Sequence, residues 1–334
     1  MGETQEMKTL RNILCVVLGF IFAAMVATAF APARYVTTVT EKLARYAVAG
    51  DEYDVLAIGS SRTYRQIIPQ IFDSTANAAG KDVRLFNLGV DGMRPPEDTY
   101  LLEQALALRK KPLKLVLVEC NDLRFELRPE DENTVRAVYW HDAKRLATMA
   151  RLALAKGGRK RAPGDRWKQF GSHVEYWFQN VTSLGRGNEL LSAALFDTKP
   201  VRNAVGLDGF KDSPKRDGLP ADELSRFEKD VSEMRKSPPR PYAADPVSQA
   251  ELAEKRRIIE KAGAKMVLIV PPFPMTKRFL PDDESLRATV LDFSNPNEFP
   301  ELYAPENRLD EGHTNRTGSE IFTRMIVERL LPKL

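Results

Sequence analysis

Four short stretches most constrain the fold: 55–58 (VLAI), 83–90 (VRLFNLGV), 113–119 (LKLVLVE) and 265–270 (KMVLIV) are nearly all apolar. A strand that is apolar on both of its alternating faces is buried on both, as in a parallel sheet covered by helices. Helical patterns at 64–72, 97–110 and 248–262 lie between or beside them. Pro95 and Pro96 break regular structure just ahead of the second of these helices. Strand and helix in alternation predict parallel βαβ units and an α/β fold. Ligands bind such sheets outside the carboxyl ends of the strands. Three of those ends carry polar or glycine clusters: Ser60-Ser61, Gly89 to Gly92, and Asn121-Asp122.

Other parts of the chain do not belong to that pattern. Residues 1–12 are polar, with Lys8 and Arg11, and residues 13–31 hold no charge. A run of that length can cross a bilayer as a helix. It is longer than the apolar part of a secretory signal, so it reads as an uncleaved anchor. A cleaved signal, cut near Ala27-Thr28-Ala29, is the alternative. Lys8 and Arg11 on one side balance Arg34, Lys42 and Arg45 on the other, so charge does not set the orientation. The short tail makes "tail inside, body outside" the expectation. Residues 36–49 read as an amphipathic helix leading to the body. The expected organisation is a tail (1–12), an anchor (13–31), a linker helix (32–52) and a body (53–334), the last interrupted by an insertion at 123–244.

The insertion shows no convincing buried strand. Residues 142–168 hold nine Lys or Arg against two Asp. Trp167, Phe170, Val174, Trp177 and Phe178 fall on one helical face, expected to be core; a membrane surface is the alternative. Residues 237–241 (SPPRP) read as a linker. The run Arg159-Lys160-Arg161 lacks interleaved aromatics, and the whole chain carries only +4, so nucleic acid is not expected as a partner. The chain has two cysteines; Cys15 lies in the apolar run and Cys120 at a strand end, so no disulfide is expected between them. There is no CxxC and no histidine cluster, and neither metal nor cofactor is expected.

The segment Asp54 to Arg62 (DVLAIGSSR) predicts a strand, a tight turn and a helix start with a hydroxyl at the corner. Alone, it is an ordinary βα turn, where Gly and Ser serve conformation and capping. Near the other end, Asp310 and His313 stand three apart, just before a closing helix at 319–331. The other two histidines, His141 and His173, lie in the insertion. A hydroxyl nucleophile needs a base, and the base needs an orienting carboxylate.

Serine corner, glycine turn, strand-end asparagine and DxxH, in that chain order, resemble the SGNH (GDSL-like) hydrolase superfamily over about 54–122 and 265–331. The resemblance implies a flavodoxin-like three-layer parallel sheet. It implies Ser61 as nucleophile, His313 as base and Asp310 as the carboxylate that orients it. It also implies an oxyanion hole made by the N–H groups of Ser61 and Gly92 and the side-chain amide of Asn121, with Gly89 as the alternative glycine. Two positions depart from the family: Ser60 stands where the family has Asp, and Glu119 where it has Gly. A single anchor with a GSSR corner is similar to bacterial proteins that assist O-acylation of envelope polymers, such as those of alginate O-acetylation and teichoic-acid D-alanylation. That likeness implies a single-pass inner-membrane protein with its body on the periplasmic side. It also implies an esterase or acyltransferase acting on O-acyl, chiefly acetyl, groups of envelope glycans, beside a multi-spanning membrane O-acyltransferase. The alternatives are a lipase or esterase acting on acylated small molecules or membrane lipid, and a catalytically inactive scaffold for such a partner.

Overall fold

The computed structural model describes residues 5–31, 34–155, 163–187, 189, 206–212, 219–242 and 245–334. In chain order the helices and strands are α1 (Gln5–Ala29), α2 (Thr37–Ala49), β1 (Val55–Ile58), α3 (Ser61–Gln66), α4 (Pro69–Ala78), β2 (Leu85–Asn87), α5 (Glu97–Ala107) and β3 (Leu115–Glu119). Next come α6 (Val135–Tyr139), α7 (Ala143–Leu154), α8 (Pro163–Thr182), α9 (Ala221–Lys236), β4 (Arg240–Tyr242), α10 (Pro246–Lys261) and β5 (Lys265–Val270). The chain closes with β6 (Lys277–Phe279), α11 (Glu284–Arg287), β7 (Val290–Asp292), β8 (Arg308–Asp310), β9 (His313–Thr314) and α12 (Arg316–Leu330).

Residues 37–124 and 201–334 form one compact unit, and residues 1–36 and 125–200 another. This partition differs from an insertion at 123–244. Residues 206–212 and 219–242 fall with the α/β unit, as does the helix read as a linker, α2, which buries Val39, Glu41, Lys42 and Tyr46.

The α/β unit is built on a five-stranded sheet in the order β2-β1-β3-β5-β7. All its pairings are parallel, with Val55 opposite Leu85 and Leu115, Leu115 opposite Lys265, and Leu268 opposite Val290. Strands β1, β2 and β3 are buried at every residue, and β5 at all but Lys265. The continuous apolar runs therefore occupy the doubly covered strands that their composition demands.

Three local differences from the sequence pattern have physical causes. The helix expected at 64–72 is two helices, because Ile68 is extended (φ −96°, ψ 110°) before Pro69. A proline ring clashes with a helical residue before it, and Pro69 then suits the first turn of α4. Strand β7, three residues long, was too short to read as a pattern. The stretch read as a linker carries β4, which pairs in parallel with β6. Its first two residues are exposed and the second is Pro241, as a ladder of only two strands tolerates.

The core between the sheet and α12 includes Phe72, Leu117, Phe293, Phe322, Ile326 and Val327. Phe322 is fully buried, and its ring meets that of Phe293 at 5.0 Å, nearly perpendicular. Replacing a buried Phe by Ala removes its transfer energy and leaves a cavity. Phe322→Ala is therefore expected to lower the unfolding free energy by about 3–5 kcal/mol, measured by denaturant titration in detergent with circular dichroism. A loss well under 1 kcal/mol would contradict this account of the core.

In the other unit, α8 packs against α1, α6 and α7. Helix α1 has no buried residue and is long and apolar enough to cross a bilayer, a property shared by membrane anchors and signal sequences. The aromatic stripe does not form the core here. Trp167 is 56% exposed and Val174 37%, whereas the buried face of α8 carries His173 and Tyr176. Tyr176 clusters with Ala137 and Val138 of α6. His173 Nδ1 lies 2.8 Å from His141 Nε2, and its Nε2 lies 2.8 Å from the Phe125 carbonyl. Burial lowers the pKa of both histidines. The basic run at 159–161 lies outside the described residues.

Candidate active site

Strand β1 ends at Ile58, Gly59 makes the corner, and α3 starts at Ser61. Gly59 has no alternative here: a Cβ would stand 2.2 Å from Thr63 Oγ1 and 2.5 Å from Glu119 Oε2. Ser60 is the N-cap of α3, extended, with its Oγ accepting from the Arg62 N–H at 3.3 Å. Ser61 is the first helical residue. Its side chain therefore lies outside the cap, at the positive end of the helix.

The partner of Ser61 comes from the far end of the chain. Strands β8 and β9 form a small antiparallel hairpin that sets Asp310 opposite His313. Ser61 Oγ lies 2.7 Å from His313 Nε2. His313 Nδ1 lies 2.8 Å from Asp310 Oδ1 and 2.9 Å from Oδ2. The Gly312 N–H also donates to Asp310 Oδ1, at 2.7 Å. Burial opposes ionisation of Asp310, but its hydrogen bonds and the neighbouring His313 outweigh that and hold its carboxyl below the usual range.

Several bonds fix the hairpin against α3. Gln66 Nε2 donates to the Gly312 carbonyl at 3.3 Å. Thr323 Oγ1 of α12 accepts from the Ile68 N–H at 3.0 Å and is 3.1 Å from the Gln66 carbonyl. Asn315 caps α12, accepting from the Gly318 N–H at 3.0 Å. At the base of the hairpin Arg308 is fully buried. Its guanidinium donates to the carbonyls of Pro272 (3.2 Å), Leu302 (3.2 Å) and Glu311 (2.9 Å), and burial brings its pKa down to about 10.

The three positions expected to bind an oxyanion are distinguished by their hydrogen bonds. Ser61 contributes an N–H in the first turn of α3. Gly89 is engaged: its N–H donates to Asn87 Oδ1 at 2.9 Å. Gly92 sits at φ +69° in a turn, and no hydrogen bond among the described residues uses its N–H. This favours Gly92 over Gly89 as the donor. Gly89 has a packing role, since a Cβ there would stand 2.4 Å from the Tyr64 backbone nitrogen. Asn121 lies two residues beyond the end of β3 and helps to hold the Glu119 carboxyl ionised.

Two residues at the site were given no role from sequence. Glu119, fully buried at the end of β3, accepts from the Ser60 N–H (2.6 Å), Ser60 Oγ (2.9 Å), Thr63 Oγ1 (3.1 Å) and Arg62 Nε (3.1 Å). Lys42 of α2, also fully buried, sends Nζ to the carbonyls of Asn87 (3.0 Å) and Gly89, 3.8 Å above the Tyr64 ring. Burial lowers its pKa well below the lysine range. Among the described residues no group of three or more His, Cys, Asp or Glu could hold a metal. No protein-family model matches the chain, and no curated protein matches it significantly.

Burial opposes ionisation of Glu119, yet Arg62 and the hydrogen bonds of Asn121 and Ser60 hold its pKa below the usual value. A carboxyl lowered in the folded state stabilises above its unfolded pKa and loses that contribution as pH falls through the folded one. The stability gap between the native chain and Glu119→Gln is therefore expected to hold down to about pH 5 and to close below that. Urea unfolding at a series of pH values measures it. A gap that widens on acidification would contradict the ionised, hydrogen-bonded carboxylate.

Proposed function

We propose that the chain is a serine acyl-transferring enzyme of the SGNH type, anchored in the membrane by its N-terminal apolar helix. We propose further that its body faces the extracytoplasmic side and removes or transfers O-acyl groups, acetyl foremost, of cell-envelope glycans. The observation that carries the reading is the unbroken chain Ser61 Oγ–His313 Nε2 (2.7 Å) and His313 Nδ1–Asp310 (2.8 and 2.9 Å). It is supported by the parallel five-stranded sheet, whose order β2-β1-β3-β5-β7 is that of flavodoxin-like folds.

In this reading Ser61 Oγ attacks the ester carbonyl carbon as its proton passes to His313 Nε2. Asp310 accepts a hydrogen bond from Nδ1–H, fixes the tautomer and stabilises the imidazolium. The N–H groups of Ser61 and Gly92 and the Asn121 amide receive the negative charge that develops on the carbonyl oxygen. Collapse of the tetrahedral intermediate breaks the ester C–O bond, and the departing alcohol takes the proton from His313. The acyl-serine is then resolved by a hydroxyl whose proton His313 removes. That hydroxyl is water in an esterase and a sugar in a transferase. The acyl donor for transfer would come from a multi-spanning membrane O-acyltransferase, since one apolar span cannot carry an acyl group across a bilayer.

A fluorophosphonate probe on the full-length chain in detergent tests the serine. The native chain is expected to label, and Ser61→Ala to lose labelling altogether. His313→Ala and Asp310→Asn are expected to label roughly 1,000-fold more slowly or less. Ser60→Ala should still label, losing about 1 kcal/mol of stability with its cap. A native chain that does not label overturns the enzymatic reading and leaves the fold as a scaffold. Acetate release or glycan acetylation that depends on Ser61 supports the substrate. Activity on acyl-lipid dispersions alone replaces it with a lipase.

A further inference from the structure

Positions 60 and 119 lie against one another and share one site for one negative charge. The register that sets Ile58 opposite Val118 brings the end of β3 beside the corner after β1. Ser60 Oγ is 2.9 Å from Glu119 Oε1, and the Ser60 N–H is 2.6 Å from Oε2. An acid at 60 would press a second carboxylate against the first in a buried place, where like charges strongly oppose one another. A glycine at 119 with serine at 60 would leave the N–H of Ser60, the hydroxyl of Thr63 and the guanidinium of Arg62 without their acceptor. Unmet buried donors of this kind are costly. The two departures from the family pattern are thus one exchange: the acid absent at 60 is present at 119.

Resting on the serine-enzyme reading, we infer that Glu119 is the positioning residue of the nucleophile turn, with its carboxylate standing in from β3 for an acid at position 60. Through Ser60, Arg62 and Thr63 it holds the corner and first turn of α3, from which the Ser61 N–H and Oγ project. The guanidinium of Arg62, stacked 4.0 Å over the Phe273 ring and 3.0 Å from Glu119 Oε1, closes the carboxylate off on its outer side. Gly59 is the steric counterpart, because any Cβ there would overlap the carboxylate.

The exchange is tested by rescue. The full-length chain in detergent is labelled with the fluorophosphonate under timed conditions, alongside thermal midpoints, for native, Glu119→Gln, Glu119→Gly, Ser60→Asp and the double variant Ser60→Asp/Glu119→Gly. Each single variant is expected to label at least about tenfold more slowly, within the roughly 100-fold effect of a misplaced reacting group. The double variant is expected within about threefold of native, far from the sum of its parts. Glu119→Gln keeps the side chain's shape and covers the case in which Glu119→Gly does not fold. A double variant as slow as the singles combined, or one that does not fold, overturns the exchange. So does Glu119→Gln labelling at the native rate with only its midpoint lowered. A native chain that does not label overturns the serine reading, and this inference with it. A native chain that labels while Glu119→Gln is unaffected overturns the inference alone.

Discussion

The contact on which the site depends joins residues 252 positions apart: the 2.7 Å hydrogen bond between Ser61 Oγ and His313 Nε2. One such bond contributes about 1 kcal/mol net, far too little to hold two chain ends in place. The sheet, α3 and α12 must hold them first. The Thr323, Gln66 and Ser319 bonds between α12 and the α3 region do this directly, and Ser319 Oγ reaches the Arg65 carbonyl at 3.3 Å. The hairpin bearing Asp310 and His313 has no large apolar face of its own. Its position derives from Arg308 beneath it and α12 beyond it.

Among the almost wholly buried ionisable side chains of the α/β unit, Lys42, Glu119 and Arg308 each meet a loop of the candidate site. Burying a charge is unfavourable unless it is hydrogen-bonded or paired. Lys42 Nζ and the terminal nitrogens of Arg308 donate to backbone carbonyls, and Glu119 accepts from four described groups of α3 and its cap. An apolar side chain of similar size would fill the same volume with less penalty but would not dictate where a carbonyl or an N–H points. The chemistry proposed here needs that dictation: Lys42 grips the loop from Asn87 to Gly89, Glu119 the nucleophile turn, and Arg308 the histidine hairpin.

The sequence exposes Ser61, Asp310 and His313 because their chemistry demands particular residue types in a particular order. Glu119 is visible in the sequence as a departure from the family's glycine, but its part at the corner is not, because a lone acid at the end of an apolar strand looks like a strand emerging into solvent. Only the β1–β3 register shows that it faces the corner. Lys42 was opaque for a related reason: a lysine in an amphipathic helix is ordinarily on the wet face. The choice between Gly89 and Gly92 rested on hydrogen bonding, which spacing cannot reveal. The strands set in continuous apolar runs, β1, β2, β3 and β5, are legible from composition, whereas β7 and β4 lie in short mixed stretches that carry no pattern. In α8 the aromatic stripe was misread as the packing face, because large rings outweigh the smaller histidine and tyrosine stripe that is buried.

Adjacent serines at one corner raise the question of which could act, and the geometry answers it through helix structure. An N-cap residue turns its side chain back over the first helical N–H groups, and Ser60 does so. Its hydroxyl also donates to Glu119, so both of its hydrogen-bonding functions are taken. Ser61, one residue on, has helical backbone, and its hydroxyl is directed to His313. The carboxylate that occupies Ser60 also neutralises Arg62, the nearest cation to the nucleophile in sequence. The first turn of α3 and the His313–Asp310 pair lie beside the Ser61 hydroxyl. One buried glutamate thus occupies the hydroxyl of Ser60 and pairs with Arg62, while the hydroxyl of Ser61 is left to His313.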